Sequence, residues 1–278
     1  MQKLRGYAKS MVMKLAKEQI AHHQREGYLI VHNFFDANEV AALQTDLRRL
    51  LDEGKLNNVA TDGDGVTPSE MQINLQICPV GPHSELIRAL PFSDKVRGAV
   101  QSLIPGDVVQ QLDQIFFKPP HQGVGTGWHQ DNAYFKAPDP SHGLGMWIAL
   151  HDATVKNGTM HIVPQSHLER YDHDRDQGSN HHIHCRIDEE TETIVPAVMD
   201  AGGVLFFNFG IAHCTKRNNS DHERAGLALH FISDSLLEQV AGRPDRPYLT
   251  GANYSRGLKE FGENMEAVWL DQSASPRA

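Results

Sequence analysis

Seven short β-prone runs follow one another between residues 71 and 232, and they limit the folds that this chain can adopt. In order they are MQINLQI, VVQQLDQIFF, GMWIALHDAT, TMHIV, TIVPAV, GVLFFNF and RAGLALHFI, with Gly, Pro and Asn between them. Many short strands punctuated by turn residues are typical of a sandwich or a barrel. We therefore predict a mainly β fold whose core lies at about residues 70–235.

The first part of the chain has a helical pattern instead. Residues 15–54 are predicted to form helices on either side of the β-prone run YLIVHNFF. Asp36 and Glu39 have the spacing of a capping box, in which two side chains satisfy free backbone donors at a helix start. Five apolar residues then recur at helical spacing: Val40, Leu43, Leu47, Leu50 and Leu51. A helix is therefore expected to begin after Asp36.

No linker and no internal repeat divides the chain. All-β folds of this length often form one domain. We expect a single domain over residues 1–278, with a helical N-terminal part at 1–55 and a C-terminal extension at 236–278.

Composition argues against two classes of partner. The formal net charge is −9, whereas proteins that bind nucleic acid usually show a basic excess. No apolar stretch approaches the roughly 20 residues that a membrane-spanning helix needs. We therefore expect neither a nucleic acid nor a membrane as a partner.

Two features bear on the compartment. Cys78, Cys185 and Cys214 show no repeated spacing and cannot all pair, which favours free thiols in a reducing compartment. The first 17 residues are basic and contain no acid, as in a transit peptide or in a solvated first helix. We favour the helix and a cytoplasmic protein.

His129 and Asp131 stand one residue apart in the stretch GTGWHQDNAY. On a strand, such residues point to the same face and can bind one ion together. His213, which follows the apolar run GVLFFNF, is the best candidate for a third ligand. Two histidines and one carboxylate form the facial triad of non-haem Fe(II) oxygenases, which leaves coordination positions open for substrate and O₂.

Arg224 begins a β-prone run eleven positions after His213. A strand, a turn and a return strand could bring its guanidinium beside the metal. Arginine matches a carboxylate in bidentate fashion. A cosubstrate with one carboxylate at the iron and a second at Arg224 would fit, and 2-oxoglutarate is such a molecule.

The sequence resembles the phytanoyl-CoA dioxygenase family of Fe(II)/2-oxoglutarate oxygenases over nearly its whole length. The matching stretches are EGYLIVHNFFDANEVAAL, WHQD, MWIALHDATVKNGTMHIVPQSH and GVLFFNFGIAHCTKRNNSDHERAGLALHF. The resemblance implies a double-stranded β-helix (a jelly roll, cupin-like) with flanking α-helices. It also implies that His129, Asp131 and His213 bind the metal and that Arg224 binds the cosubstrate.

The resemblance points to further residues near the cosubstrate. Thr215, two residues after the distal histidine, and Trp147 occupy family positions beside it, and Gln111 is a further candidate for a cosubstrate contact. Three residues are candidates for facing the substrate, although ordinary hydrogen-bonded interior positions would also suit them: Asn132, Tyr134 and His230.

The function implied is a dioxygenase that hydroxylates a C–H bond of a small-molecule metabolite and releases succinate and CO₂. Related halogenases have Gly or Ala where Asp131 stands, so its presence favours hydroxylation. No catalytic side chain is expected beyond the metal ligands. Two alternatives remain: a metal-binding sensor without oxygenase activity, and a hydrolase or isomerase that uses Zn²⁺ or Mn²⁺ in the same triad. Arg224 argues against the hydrolase or isomerase.

Residues 166–186 are polar, rich in His and Asp, and lack periodicity. A loop of this length in a compact domain is often functional. A lid over the site is our interpretation, with a second metal site as the alternative. The polarity of this segment favours a small polar or anionic substrate.

Overall fold

The computed structural model describes residues 14–240, 242 and 246–274. Its α-helices are α1 (Lys17–Glu26), α2 (Ala37–Asp52), α3 (Glu85–Ala89), α4 (Asp94–Leu103), α5 (Asn132–Phe135), α6 (Leu258–Phe261) and α7 (Met265–Ser273). Single 3₁₀ turns lie at Gly81–His83, Leu90–Phe92, Pro140–His142, Ser166–Leu168 and Asp234–Leu236.

The strands are short apart from two. They are β1 (Tyr28–Val31), β2 (Asn57–Asn58), β3 (Leu75–Ile77), β4 (Val108–Lys118), β5 (Thr126–Gln130), β6 (Gly143–Ala149), β7 (Met160–Ile162), β8 (Asp174–Arg175), β9 (Ile183–His184), β10 (Val195–Pro196), β11 (Val204–Asn208), β12 (Ala212–Thr215) and β13 (Arg224–Ser233). All seven predicted β-prone runs contain a strand.

The strands form two main sheets. The larger sheet has the order β1-β11-β6-β13-β4-β3-β2, the smaller sheet has the order β10-β7-β12-β5, and β8 and β9 form a separate hairpin. The ladders are antiparallel. The predicted mainly β fold with flanking helices is confirmed.

The long central strand β13 shows how the two layers are built. Its side chains alternate, so that Leu227 and Leu229 join the core under the helices. Arg224 and His230, at positions of the other parity, face the cavity between the sheets. The core under the helices also contains Leu43 of α2 and buried apolar residues of α3, α4 and α7. The helices therefore cover one face of the large sheet and leave the other face to the site.

The predicted capping box is present at the start of α2. The Asp36 carboxylate accepts hydrogen bonds from the backbone N–H groups of Asn38 and Glu39, at 2.9 and 3.0 Å. The Glu39 carboxylate accepts one from the Asp36 backbone N–H at 2.8 Å. These bonds fix the first turn, and Leu43, Leu47 and Leu50 then face the core.

Strand β1 lies in the β-prone run predicted between the N-terminal helices, and it pairs with β11 at one edge of the large sheet. Two regions differ from the sequence predictions. Helices α3 and α4 lie inside the region predicted to form the β core. The segment 166–186, predicted to be irregular, contains the hairpin β8–β9. The helix predicted for the basic first 17 residues lies largely outside the described residues.

Two findings bear on the predicted partners and compartment. The three cysteines are free thiols. Among the residues that the structure describes, no helix combines the length and apolarity needed to cross a membrane.

Candidate metal centre

Three potential ligands converge at one end of the small sheet. His129 lies on β5 and is paired across the ladder with His213 on β12. Potential ligand atoms of His129, Asp131 and His213 all lie within 4.8 Å of one another. Asp131 Oδ1 is 3.7 Å from Nε2 of each histidine. Among the described residues, this is the one group of three or more such side chains that could hold a metal ion.

The prediction that Asp131 lies on the same strand as His129 is wrong in detail. Strand β5 ends at Gln130, and Asp131 has helical backbone angles (φ −58°, ψ −29°) at the start of α5. The backbone turn, rather than strand alternation alone, brings the carboxylate to the two imidazoles.

The backbone fixes which nitrogen each imidazole presents. Nδ1 of His129 lies 2.8 Å from the carbonyl oxygen of Gly127, and Nδ1 of His213 lies 2.9 Å from that of Ile211. A carbonyl oxygen only accepts, so each Nδ1 carries the hydrogen and each Nε2 presents a lone pair. Metal-binding histidines usually donate such a hydrogen bond from the ring nitrogen that does not bind the metal.

Burial keeps the imidazoles neutral. Burial, with His213 beside it, lowers the pKa of His129 to about 3, and burial also lowers the pKa of His213. Burial alone would raise the pKa of Asp131, but the neighbouring His213 and His230 hold it below its usual value. Two neutral imidazoles and one carboxylate at neutral pH suit a divalent cation.

The three ligands open into a cavity of about 220 Å³ between the sheets. Its apolar wall contains Leu112, Phe116, Phe135, Trp147, Met160, Phe207 and Ala228. Its polar lining, besides the three ligands, contains Cys78, Gln114, Thr126, Tyr134, His181, His182, Thr215, Arg224 and His230.

Arg224 is completely buried in this lining. One of its amino groups donates to the carbonyl oxygen of Gly158, while Nε and Nη1 have no hydrogen-bond partner. Burial lowers the pKa of Arg224 to about 9, so the side chain is still charged at neutral pH. Buried charged donors without a protein partner are costly, so an anionic group of a ligand would suit Arg224.

Thr215 lines the same cavity as Arg224 and has a hydroxyl hydrogen available. Its hydroxyl oxygen accepts from the Thr126 backbone N–H at 3.0 Å and from Lys118 Nζ at 3.1 Å. With both acceptor positions used, the hydroxyl hydrogen is available to a ligand in the cavity. Lys118, which the sequence reasoning missed, pairs across β4 and β13 with Arg224. Burial and Arg224 lower the pKa of Lys118.

Two other predicted residues do not reach the cavity. Gln111 is the extra residue of a β-bulge, because Leu112 and Gln110 pair with His230 and Phe231. Gln114, three residues along, lines the cavity instead. The side-chain amide of Asn132 donates to the Ala137 carbonyl oxygen and accepts from the Ala137 N–H, so it is used within the local loop.

Part of the segment 166–186 lies against the cavity. His181 and His182 contribute to the lining. The Ile183 backbone N–H donates to the Tyr134 hydroxyl at 3.0 Å. In the described part of the chain, none of its histidines joins a group of three metal ligands. The geometry thus gives no support to a second metal site there.

Comparisons with known proteins agree with this geometry. The family model for phytanoyl-CoA dioxygenase (PhyH) matches residues 23–226. The mouse phytanoyl-CoA dioxygenase domain-containing protein 1 is 25% identical over 263 residues, which cover 78% of this chain and 90% of that protein.

Solved structures show the same architecture. The non-heme alpha ketoglutarate dependent carbocyclase SnoK from nogalamycin biosynthesis matches with a TM-score of 0.69 at 21% identity, over 86% of this chain and 90% of its own. EctD from S. alaskensis, solved with 2-oxoglutarate and 5-hydroxyectoine, matches with a TM-score of 0.64 at 20% identity, over 95% of this chain and 90% of its own. These likenesses confirm the predicted jelly-roll fold.

Proposed function

The chain belongs to the phytanoyl-CoA dioxygenase family, and on this premise we propose that it is an Fe(II)- and 2-oxoglutarate-dependent dioxygenase. The reaction proposed is hydroxylation of a C–H bond of a small-molecule metabolite, with release of succinate and CO₂. The observation that carries the proposal is the buried guanidinium of Arg224, with two donors that have no protein partner, in the same cavity as the His129, Asp131 and His213 triad.

The residues of the triad suit ferrous iron. The two imidazoles present Nε2 toward Asp131 Oδ1, and three ligands on one side leave further coordination positions open. Iron bound there would supply the redox chemistry with O₂ and 2-oxoglutarate. The protein would supply the ligands, the orientation of the organic molecules and the exclusion of water.

The other end of the cavity suits the far carboxylate of 2-oxoglutarate. Arg224 offers two donors without partners, and Thr215 offers a hydroxyl hydrogen. A dicarboxylate placed here would neutralise Arg224 and satisfy its donors. Trp147 and Phe207, both buried, would exclude water from this ion pair.

Hydroxylation is the finer part of the proposal. Asp131 occupies the carboxylate position of the triad, which favours transfer of oxygen over transfer of halide. The likeness to SnoK, whose name gives a carbocyclase, means that the fold itself does not select one outcome.

The lining also bears on the substrate. Apart from histidines, Asp131 and Arg224 are the only charged side chains among the described residues of the cavity, and both have been assigned above. Uncharged polar side chains of the lining, such as Tyr134 and Gln114, are available for hydrogen bonds to the substrate. We propose a small uncharged metabolite with an apolar body, in place of the small polar or anionic substrate that the polar segment favours from sequence.

Both alternatives leave Arg224 unexplained. A sensor that binds only a metal, or a hydrolase or isomerase with Zn²⁺ or Mn²⁺, has no need for a buried arginine aimed at a second ligand. The test is release of labelled CO₂ from 1-¹⁴C-2-oxoglutarate by the protein with Fe(II) in air. We expect release that requires O₂ and is lost in His213→Ala. Release without O₂, or equal release by the variant, would contradict the proposal.

The cytoplasm is the proposed compartment. Three free thiols, two of them buried, suit a reducing environment.

A further inference from the structure

The two oxygens of the Asp131 carboxylate have different partners. Oδ1 lies 3.7 Å from Nε2 of both His129 and His213, so it faces the point where the metal ligands converge. Oδ2 lies 3.1 Å from Nε2 of His230. Oδ1 therefore faces the point where the ligands converge, and Oδ2 is engaged by His230.

The chemistry of the pair fixes the direction of this hydrogen bond. An ionised carboxylate has no hydrogen to donate, so Nε2 of His230 carries the hydrogen and donates to Oδ2. Nδ1 of His230 is buried and has no partner, so the hydrogen bond to Oδ2 is the one polar contact of the ring among the described residues. His230 therefore holds the carboxylate through the oxygen that does not face the point where the ligands converge.

The fold holds His230 in this place from a separate element. A β-bulge between β4 and β13 falls at His230 and Phe231, and bulges re-aim side chains. The rings of Phe135 and Phe209 lie 5.4 and 6.0 Å from the imidazole ring, centre to centre. His230 itself is only 4% exposed. The imidazole therefore has little freedom to turn away from Asp131.

We propose that His230 is a positioning residue that holds Asp131 with a single oxygen toward the metal. This role rests on the proposed function, since it requires a metal in the triad. With Oδ2 engaged, only Oδ1 is presented, which keeps neighbouring coordination positions free for cosubstrate and O₂. Without the donor, the buried Oδ2 loses its partner and the carboxylate is free to rotate.

Two variants separate the hydrogen bond from the packing. His230→Phe keeps a ring against Phe135 and Phe209 but removes the donor. His230→Gln loses the ring but retains an amide N–H at the reach of Nε2. His161→Phe is the matched control, because His161 is a buried strand histidine outside the cavity lining.

The measurement is an anaerobic titration of each purified full-length protein with Co(II), a spectroscopic substitute for iron, and then with Fe(II). We expect His230→Phe to raise the metal dissociation constant by about 10- to 100-fold, as for other partners of metal ligands. Its Co(II) absorption spectrum should change, because the carboxylate binds differently. His230→Gln should restore both properties to near the wild-type values, and His161→Phe should leave them unchanged.

Each outcome decides the matter. Wild-type affinity and spectrum in His230→Phe would overturn the positioning role, as would equal losses in the Phe and Gln variants. If His230→Phe fails to fold, His230→Leu takes its place as the variant without the donor, and the same loss of affinity and change of spectrum are expected. A wild-type protein that binds neither metal would refute the proposed function itself, which is a different result from wild-type binding that His230→Phe leaves intact.

Discussion

Arg224 lies over the indole ring of Trp147, with its guanidinium carbon 5.5 Å from the ring centre. The two residues belong to neighbouring strands, since β13 pairs with β6. The ring has room there because Gly226 has no side chain: a Cβ at this position would lie 2.3 Å from the indole nitrogen of Trp147. The arginine, the ring and the glycine thus form one packed unit at the proposed cosubstrate end of the cavity.

Gly226→Ala should disturb that unit. The added methyl group must displace the Trp147 ring, and overpacking of this kind costs about 1–3 kcal/mol. We expect 2-oxoglutarate affinity, measured by calorimetry on the anaerobic Fe(II) protein, to fall about tenfold or more. Gly178→Ala, whose Cβ would meet only Asp176 Oδ1 at 3.2 Å, is the control. Equal affinities in the two variants would show that the ring does not shape the site.

His213→Ala should remove the metal. Two ligands hold a divalent ion poorly, so we expect the Fe(II) dissociation constant to rise by more than the roughly 10- to 100-fold that loss of an outer-shell partner costs, while His161→Ala retains iron. Metal content after anaerobic dialysis, measured by mass spectrometry, checks this. Full iron occupancy in His213→Ala would remove that residue from the triad.

Local signals in the sequence identify much of the site. Strand alternation places Arg224 and His230 on the same face, and both face the cavity. The capping box at Asp36 depends on residues three positions apart and is present. Helix α4 also has a local signal, since the Ser93 side chain accepts from the Val96 N–H, but the sequence reasoning did not use it.

Other features depend on pairing between distant residues. Gln111 is withdrawn from the cavity by a bulge opposite a strand more than 100 positions later. The hairpin β8–β9 is held against the 59–65 loop by backbone bonds such as Thr61 N–H to Gly178 carbonyl at 3.1 Å. No short window of sequence contains both partners of such contacts.

Tyr134→Phe should loosen the hairpin β8–β9. The variant removes the oxygen that accepts from the Ile183 N–H, and a hydrogen bond of this kind contributes about 1 kcal/mol. We expect amide exchange at Ile183, followed by mass spectrometry, to become about fivefold faster. Tyr171→Phe, in the same segment but outside the cavity lining, should not change it. An unchanged exchange rate in Tyr134→Phe would show that the tyrosine does not tether the hairpin.

Acid should destabilise the protein partly through His23. Burial, with His167 and His22 nearby, lowers the pKa of His23 from 6.5 to about 4. The unfolded chain binds this proton more readily, so the stabilisation is complete above pH 6.5 and is lost as pH falls toward 4. Between pH 7 and 5 this group should lower the free energy of unfolding by about 2 kcal/mol.

Urea unfolding at both pH values checks this sign. His23→Gln, which does not titrate, should lose correspondingly less stability than the wild type between pH 7 and 5. His32→Gln, at an exposed histidine, is the control and should follow the wild type. Parallel losses in all three proteins would assign the acid sensitivity to other groups.

The most direct test of the proposed function compares two ligands of the anaerobic Fe(II) protein by calorimetry. 2-Oxoglutarate has a far carboxylate, and 2-oxobutyrate lacks it. Leaving one partner of a buried ion pair alone costs about 3–5 kcal/mol. If Arg224 pairs with that carboxylate, the wild type should therefore bind 2-oxoglutarate with a dissociation constant roughly two to three decades lower than that of 2-oxobutyrate. Arg224→Ala should lose this preference and keep its affinity for iron. Equal binding of the two acids by the wild type, or an undiminished preference in Arg224→Ala, would contradict the account.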